Sequence, residues 1–183
     1  MARRHAAGVR RGADAMVVSR VRSFAPIADG DATRLVLGSM PGVASLRAGQ
    51  YYAHPRNLFW RILGDLLGVD CALPYARRVA ALAASGIALW DVLKSCRRAG
   101  SLDAAIERDS GVPNDFVRFF ATHPGILSVY FNGASAEFWY RRRVLPSLPS
   151  GKLVYRRLPS TSPAHAALSY EEKRAAWQVV VTR

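Results

Sequence analysis

Cysteine is nearly absent from this chain. Cys71 and Cys96 are the only two in 183 residues, far apart and outside any CxxC or Cys/His grouping. That usage excludes a disulfide scaffold, points to reduced thiols and supplies no ligand set for structural zinc or an iron–sulfur cluster, so no metal is expected. Long apolar runs are missing as well. Nothing approaches the roughly 20 residues of a membrane-spanning helix, so no membrane partner is expected. The arginine-rich N-terminus lacks the apolar centre of a secretory signal. Acidic residues are scarce, 13 against 26 Lys and Arg, for a net charge of +13.

A basic surplus of that size favours a polyanionic partner, because neutralised phosphates release counterions and give nucleic-acid binding its main non-specific term. The alternative is an arginine-rich surface that is merely solvated. Six arginines and one aspartate in residues 1–22 contribute +5, which leaves +8 for the remainder. Residues 1–22 show no sustained period and read as a basic, disordered arm, or as an upstream extension before a true start at Met16. Residues 23–183 read as one α/β domain, a length sufficient for a single core.

Leu35 to Leu37 form an apolar strand that breaks at Gly38-Ser39-Met40-Pro41-Gly42, where two glycines and a proline bar regular structure. Helices are expected from Leu58 to the stop at Gly68, from Pro74 to Ala84, after an Asn114 cap through Phe120, from Ala134 to Val144, and from Ser169 to Trp177. Ser169 and Glu172 have capping-box spacing. Strands are expected at Ile87–Leu93, interrupted by Asp91, at 125–131 and at 152–158, with a basic loop over Arg97 to Ser101. Strands alternating with helices predict a three-layer α/β/α sandwich with a central, mostly parallel four-stranded sheet. In such a sheet the strands' carboxyl ends share one edge, where ligands bind. The polar segments at Ser39, Asp91, Asn132 and Ser160 to His165 all fall there. A carboxylate inside a buried strand is costly unless it is paired, bonded or functional.

The segments GSMPG, QYYAHPRNLFW, GIALWDVL, YFNG and LPSTSPAHA, in this order, resemble the uracil-DNA glycosylase superfamily, and within it the hypoxanthine-DNA glycosylase (DNA-deoxyinosine glycosylase) branch. The resemblance covers about Val21 to Trp177. YYAHPRNLFW and LPSTSPAHA are its specific parts. It implies a monofunctional glycosylase that flips a deaminated base from double-stranded DNA and hydrolyses its N-glycosidic bond in base-excision repair. Such an enzyme needs a tight base pocket and a positioned water, without metal or cofactor. It also implies a monomer of the bacterial type, cytoplasmic and nucleoid-associated. The alternative on the same scaffold is a non-catalytic, lesion-sensing DNA-binding protein.

Carried over by resemblance, Gly38, Ser39, Met40 and Pro41 line the base site, with the Ser39 and Met40 N–H groups as donors. Many relatives carry Asn or Asp where this chain has Ser39, a weaker group for orienting water. In the hypoxanthine branch the catalytic role attaches instead to Asn57, whose residue type also suits a helix cap at Leu58. Tyr52 takes the place of a stacking residue under the base. Asp91 stands where the base edge is read, and accepts from hypoxanthine N1–H, a donor that adenine lacks. Asn132 is a base-contact candidate or a support behind the site. His54, Ser160, Thr161, Ser162, Pro163 and His165 are assigned to DNA, the hydroxyls to phosphate. Both histidines are equally compatible with structural roles.

Overall fold

The computed structural model describes residues 19–182. In chain order the elements are β1 (Ser19–Arg22), β2 (Arg34–Gly38), α1 (Val43–Ala48), α2 (Phe59–Leu67), α3 (Tyr75–Ala84), β3 (Ile87–Asp91), β4 (Leu93–Arg98), β5 (Val112–Pro113), α4 (Phe116–Thr122), β6 (Ser128–Asn132), α5 (Ala134–Arg143), β7 (Val154–Leu158) and α6 (Tyr170–Trp177). A 3-10 turn, Asp103–Ala105, lies between β4 and β5.

The main sheet has the order β3-β2-β6-β7 and is parallel throughout. A parallel sheet is covered on both faces, so its inner strands read as unbroken apolar runs rather than alternating ones. Leu35, Val36 and Leu37 are accordingly fully buried. Register places Leu37, Trp90 and Phe131 side by side on one face. There Trp90 packs on Phe116 and Phe119 of α4, and Phe131 packs on Tyr140 of α5. On the opposite face the Arg34 guanidinium donates to Ser85 O beyond α3 and to Val180 O beyond α6, while the Tyr130 hydroxyl donates to Val179 O. The expected three-layer sandwich is therefore present.

Helix α2 buries Phe59, Trp60, Ile62 and Leu63, each such side chain contributing about 1.5–3 kcal/mol, and stops at Gly68 with φ 69°. The expected capping box closes the start of α6: Ser169 Oγ accepts from Glu172 N–H, and the Glu172 carboxylate accepts from Ser169 N–H.

Several expectations are corrected. The arm read over residues 1–22 ends earlier, because Ser19–Arg22 pairs antiparallel with β4; residues 1–18 lie outside the described part. The strand expected over Ile87–Leu93 divides at Val92, and β4 runs on through Arg97 and Arg98, where a loop is expected from sequence. β1, β4 and β5 form a second, antiparallel sheet. Its central strand mixes Lys, Ser, Cys and Arg, so neither alternation nor an apolar run marks it. The helix cap before α4 is Asp115, whose carboxylate accepts from Arg118 N–H. Asn114 instead donates through Nδ2 to Asp91 O at 2.8 Å. Helix α1 has no signal in the sequence, because six residues between Gly42 and Gly49 are too few to show a period.

Candidate active site

Three adjacent strands end in one row. Gly38 pairs with Asp91, and the register of Leu37 with Phe131 sets Asn132 on Gly38's other side. Gly38 must be glycine for space: a Cβ there would lie 2.5 Å from Asp91 Oδ1 and 2.9 Å from the Tyr52 hydroxyl. The gap that glycine leaves is where Tyr52 reaches over the strand ends. Tyr52 has φ 55°, the one left-handed non-glycine residue among those described, a conformation that costs about 1 kcal/mol or more and clusters at functional sites. The strained backbone turns one ring face onto Phe59, centroids 4.0 Å apart at 20°. Tyr51 lies 6.3 Å away at 38°, and Tyr52 stays only half-buried.

Asp91 is 3 % exposed, and its Oδ2 has no hydrogen-bond partner. Burial pushes its carboxyl up to about 8, the Asp103 carboxylate adds to the rise, and Arg98 opposes it. At neutral pH Asp91 is therefore mainly a neutral acid, able to donate as well as accept. Burial likewise pushes the Tyr52 phenol upward, with Asp91 reinforcing it. The nearby Asn132 amide acts the other way without reaching hydrogen-bond geometry, so the buried hydroxyl stays unpartnered.

The 38–42 turn is fastened from β3, β4 and the segment after β4. Val92 and Leu93 N–H donate to Gly38 O and Ser39 O. Arg98 is 1 % exposed, donating through Nη2 to Pro41 O at 2.6 Å and through Nε to Gly100 O at 2.9 Å. Val43 N–H donates to Ser101 Oγ. Ser39 is buried and donates its hydroxyl to Asp103 Oδ2 at 2.7 Å. Asp103 Oδ1 stands 4.0 Å from Arg98 Nη1, with 40 % of the Asp103 side chain open to solvent. Met40 and Pro41 are buried beneath, and among the described residues neither the Ser39 nor the Met40 N–H has an acceptor. Asp103 and Arg98 escape the reading of the sequence. Nothing marks a lone aspartate in a polar loop, and arginine is almost never fully buried.

The 159–165 loop closes the far side, but its polar groups largely face inward. Thr161 is fully buried: its N–H donates to Asn132 Oδ1, its Oγ accepts from Asn132 Nδ2, both at 2.9 Å, and its carbonyl accepts from Leu58 N–H. This corrects the assignment of the Thr161 hydroxyl to phosphate. It makes Asn132 the clasp between β6 and the loop. Ser160 Oγ accepts from Ser162 N–H, and Ser162 Oγ from Ala164 N–H. Ser160 also presses on Gly133, where a Cβ would lie 2.9 Å from Ser160 Cβ. Pro163 is half-buried, and His165 is exposed with its carbonyl accepting from the buried Lys173 ammonium. Lys173, unnoticed in the sequence, thus anchors the loop to α6.

His54 Nδ1 accepts from Arg56 N–H, and His54 O accepts from Asn57 N–H. Asn57 is half-buried, and its Oδ1 accepts from Phe59 N–H at 3.0 Å, the cap that its residue type allowed. That leaves Nδ2 and one Oδ1 lone pair for a further partner. The bonds described thus bring the 38–42 turn, Tyr52, Asp91, Asn132 and the 159–165 loop together at the sheet edge, with the Asn57 segment joined through Leu58 to Thr161. An open groove of about 460 Å³ lined by Pro26, Ile27, Asp29, Ala76, Val79 and their neighbours shares no residue with this cluster.

The family model of the Uracil DNA glycosylase superfamily matches residues 25–181. A Hypoxanthine DNA glycosylase of Methanosarcina barkeri is 41 % identical over 113 residues, which cover 61 % of this chain and 70 % of that protein. Another, from Methanosarcina acetivorans, is 32 % identical over 160 residues, 87 % of this chain and 96 % of the relative. The solution NMR structure of an M. acetivorans protein described as a candidate uracil DNA glycosylase superposes with a TM-score of 0.75 at 31 % identity, covering 89 % of this chain and 97 % of that one.

Proposed function

The chain belongs to the uracil-DNA glycosylase superfamily, and from that premise we propose that it removes hypoxanthine from deoxyinosine in double-stranded DNA, with uracil as a second substrate. The observation that carries the substrate reading is the Asp91–Gly38–Asn132 row under Tyr52. A base everted from the duplex stacks on Tyr52 and meets Asp91 edge-on. As a neutral acid, Asp91 accepts from N1–H through one oxygen and donates to O6 through the other. Negative charge that develops on the departing base is then met by a donor instead of an opposing carboxylate. A carboxylic acid also fits the reversed edge of adenine, so Asp91 alone does not reject adenine. Rejection rests equally on the pairing and stacking energy that an intact A·T pair keeps, which is highest for undamaged bases.

Asn57 holds the attacking water through its remaining Oδ1 lone pair, its amide fixed in orientation by the Phe59 N–H. The unengaged Ser39 and Met40 N–H groups contact the base. Pro163, His165, Ser160 and Ser162 lie against the DNA backbone with His54, and the protein acts as a monomer beside the nucleoid in the cytoplasm. Labelled duplexes containing I·T, I·C, U·G, U·A or A·T, incubated with the protein and cleaved with alkali, test the reading. Scission at inosine, weaker scission at uracil and none at adenine are expected. A mobility shift without scission at any lesion would refute it.

A further inference from the structure

Two carboxyl groups stand at this site and their surroundings differ. Asp91 is sealed in, unpartnered at Oδ2 and flanked by Tyr52 and Gly38. Asp103 stands at the rim, 40 % of its side chain in solvent, with Oδ2 receiving the Ser39 hydroxyl and Oδ1 4.0 Å from the buried Arg98 guanidinium. A hydrogen bond donated to a carboxylate and a neighbouring cation both favour the charged form. The Ser39 hydroxyl spends its one proton on Asp103, so only the Ser39 backbone N–H is left as a donor to the base.

Resting on the glycosylase reading, we infer that Asp103 is the base that takes the proton of the attacking water, while Asp91 serves the leaving base as an acid. Asp103 Oδ1, 4.0 Å from Arg98 Nη1, accepts no hydrogen bond within the usual distance among the described residues, whereas the Asn57 amide orients water but is too weakly basic to deprotonate it. In the step, the water oxygen bonds to the anomeric carbon as the carbon–nitrogen bond breaks. The bond's electron pair leaves with the base and the water proton passes to Asp103. The departing base takes the Asp91 proton, Asp91 regains one from solvent and Asp103 returns its own to solvent, so water and nucleotide give abasic sugar and free base. The Asp103 charge also faces the cationic sugar of the transition state, opposite in sign to the departing base. The two carboxyls sit in different surroundings, Asp91 sealed in with Oδ2 unpartnered and Asp103 bonded by Ser39 beside Arg98, and so divide the acid and base roles.

The groups facing Asp103 are Ser39 from the turn after β2, Asp91 from β3, Cys96 and Arg98 from β4, Ser135 from α5, and Tyr52. Burial holds the Asp103 carboxyl above its ordinary value, with Ser39, Arg98 and Ser135 opposing the rise only in part. The test is the single-turnover excision rate on I·T duplex against pH, with duplex binding measured alongside. Asp103→Asn is expected to slow excision by about 100-fold or more, leave binding unchanged and erase the fall in rate toward acid. Asp103→Glu restores part of the rate. Ser39→Ala, which removes the bond that favours the carboxylate, moves the acid limb to higher pH, a shift that a merely structural Asp103 would not produce. Wild-type rates from Asp103→Asn, or an acid limb unmoved by Ser39→Ala, overturn the inference while the glycosylase reading stands. A wild-type protein inactive on every lesion overturns both. Should Asp103→Asn fail to fold, the Ser39→Ala limb decides.

Discussion

Replacing Asp91 by asparagine exposes the energetic cost of this site. The carboxyl rises from an ordinary value of 3.8 to about 8 in the folded protein. In the unfolded chain it ionises near its ordinary value. Between those values the unfolded state loses a proton that the folded state keeps. The raised folded value means that stability is fully present below about pH 4, declines as pH rises and levels off above about 8. The slope is about 1.4 kcal/mol per pH unit, so by pH 7 roughly 3 units of the window have been crossed, a loss of about 4 kcal/mol. Against a typical total of about 5–15 kcal/mol this is large. An asparagine side chain would occupy the same volume without titrating. Urea unfolding of Asp91→Asn and the parent at steps from about pH 4 to about pH 8 is expected to give curves that diverge, the variant becoming the more stable as pH rises. Parallel curves would refute the reasoning, because they would mean that Asp91 carries the same charge folded and unfolded. The same titration enters catalysis: the parent's kcat/KM should fall above about pH 8 as the acid ionises, and the variant should lack that fall.

Asn57→Ala removes both a cap and a proposed water ligand. It should cost about 1 kcal/mol in chemical denaturation and also roughly 100-fold or more in excision rate at unchanged duplex binding; full activity with only the stability loss would leave Asn57 as a cap alone. Gly38→Ala places a methyl group 2.5 Å from Asp91 Oδ1 and 2.9 Å from the Tyr52 hydroxyl. It should lower stability by about 1–3 kcal/mol and displace Tyr52 enough to abolish excision, measured by thermal melting and alkaline cleavage; an active variant of normal stability would show that the row is not closely packed.

What the sequence settled by itself was the order of βα units. Apolar runs at 35–37, 87–93 (broken by Asp91) and 125–131 and the glycine stop at Gly68 are local signals, because a strand buried on both faces and a left-handed helix end each demand particular residues where they occur. The edge at which GSMPG, HPRN, Asp91 and LPSTSP gather follows from that order, since parallel strands share their carboxyl ends. Tertiary structure alone decided what the groups at that edge do. Arg98 sits in an unremarkable basic run and becomes a buried anchor for Pro41, because β4 folds back against β1. Thr161 looks like a phosphate ligand and is turned inward by Asn132, 29 residues away. Asp103 meets Ser39 across 64 residues, and Asp91 changes its protonation because burial removes the water that would solvate its charge. Bonding partners and solvation are properties of position in space, and no window of sequence contains them.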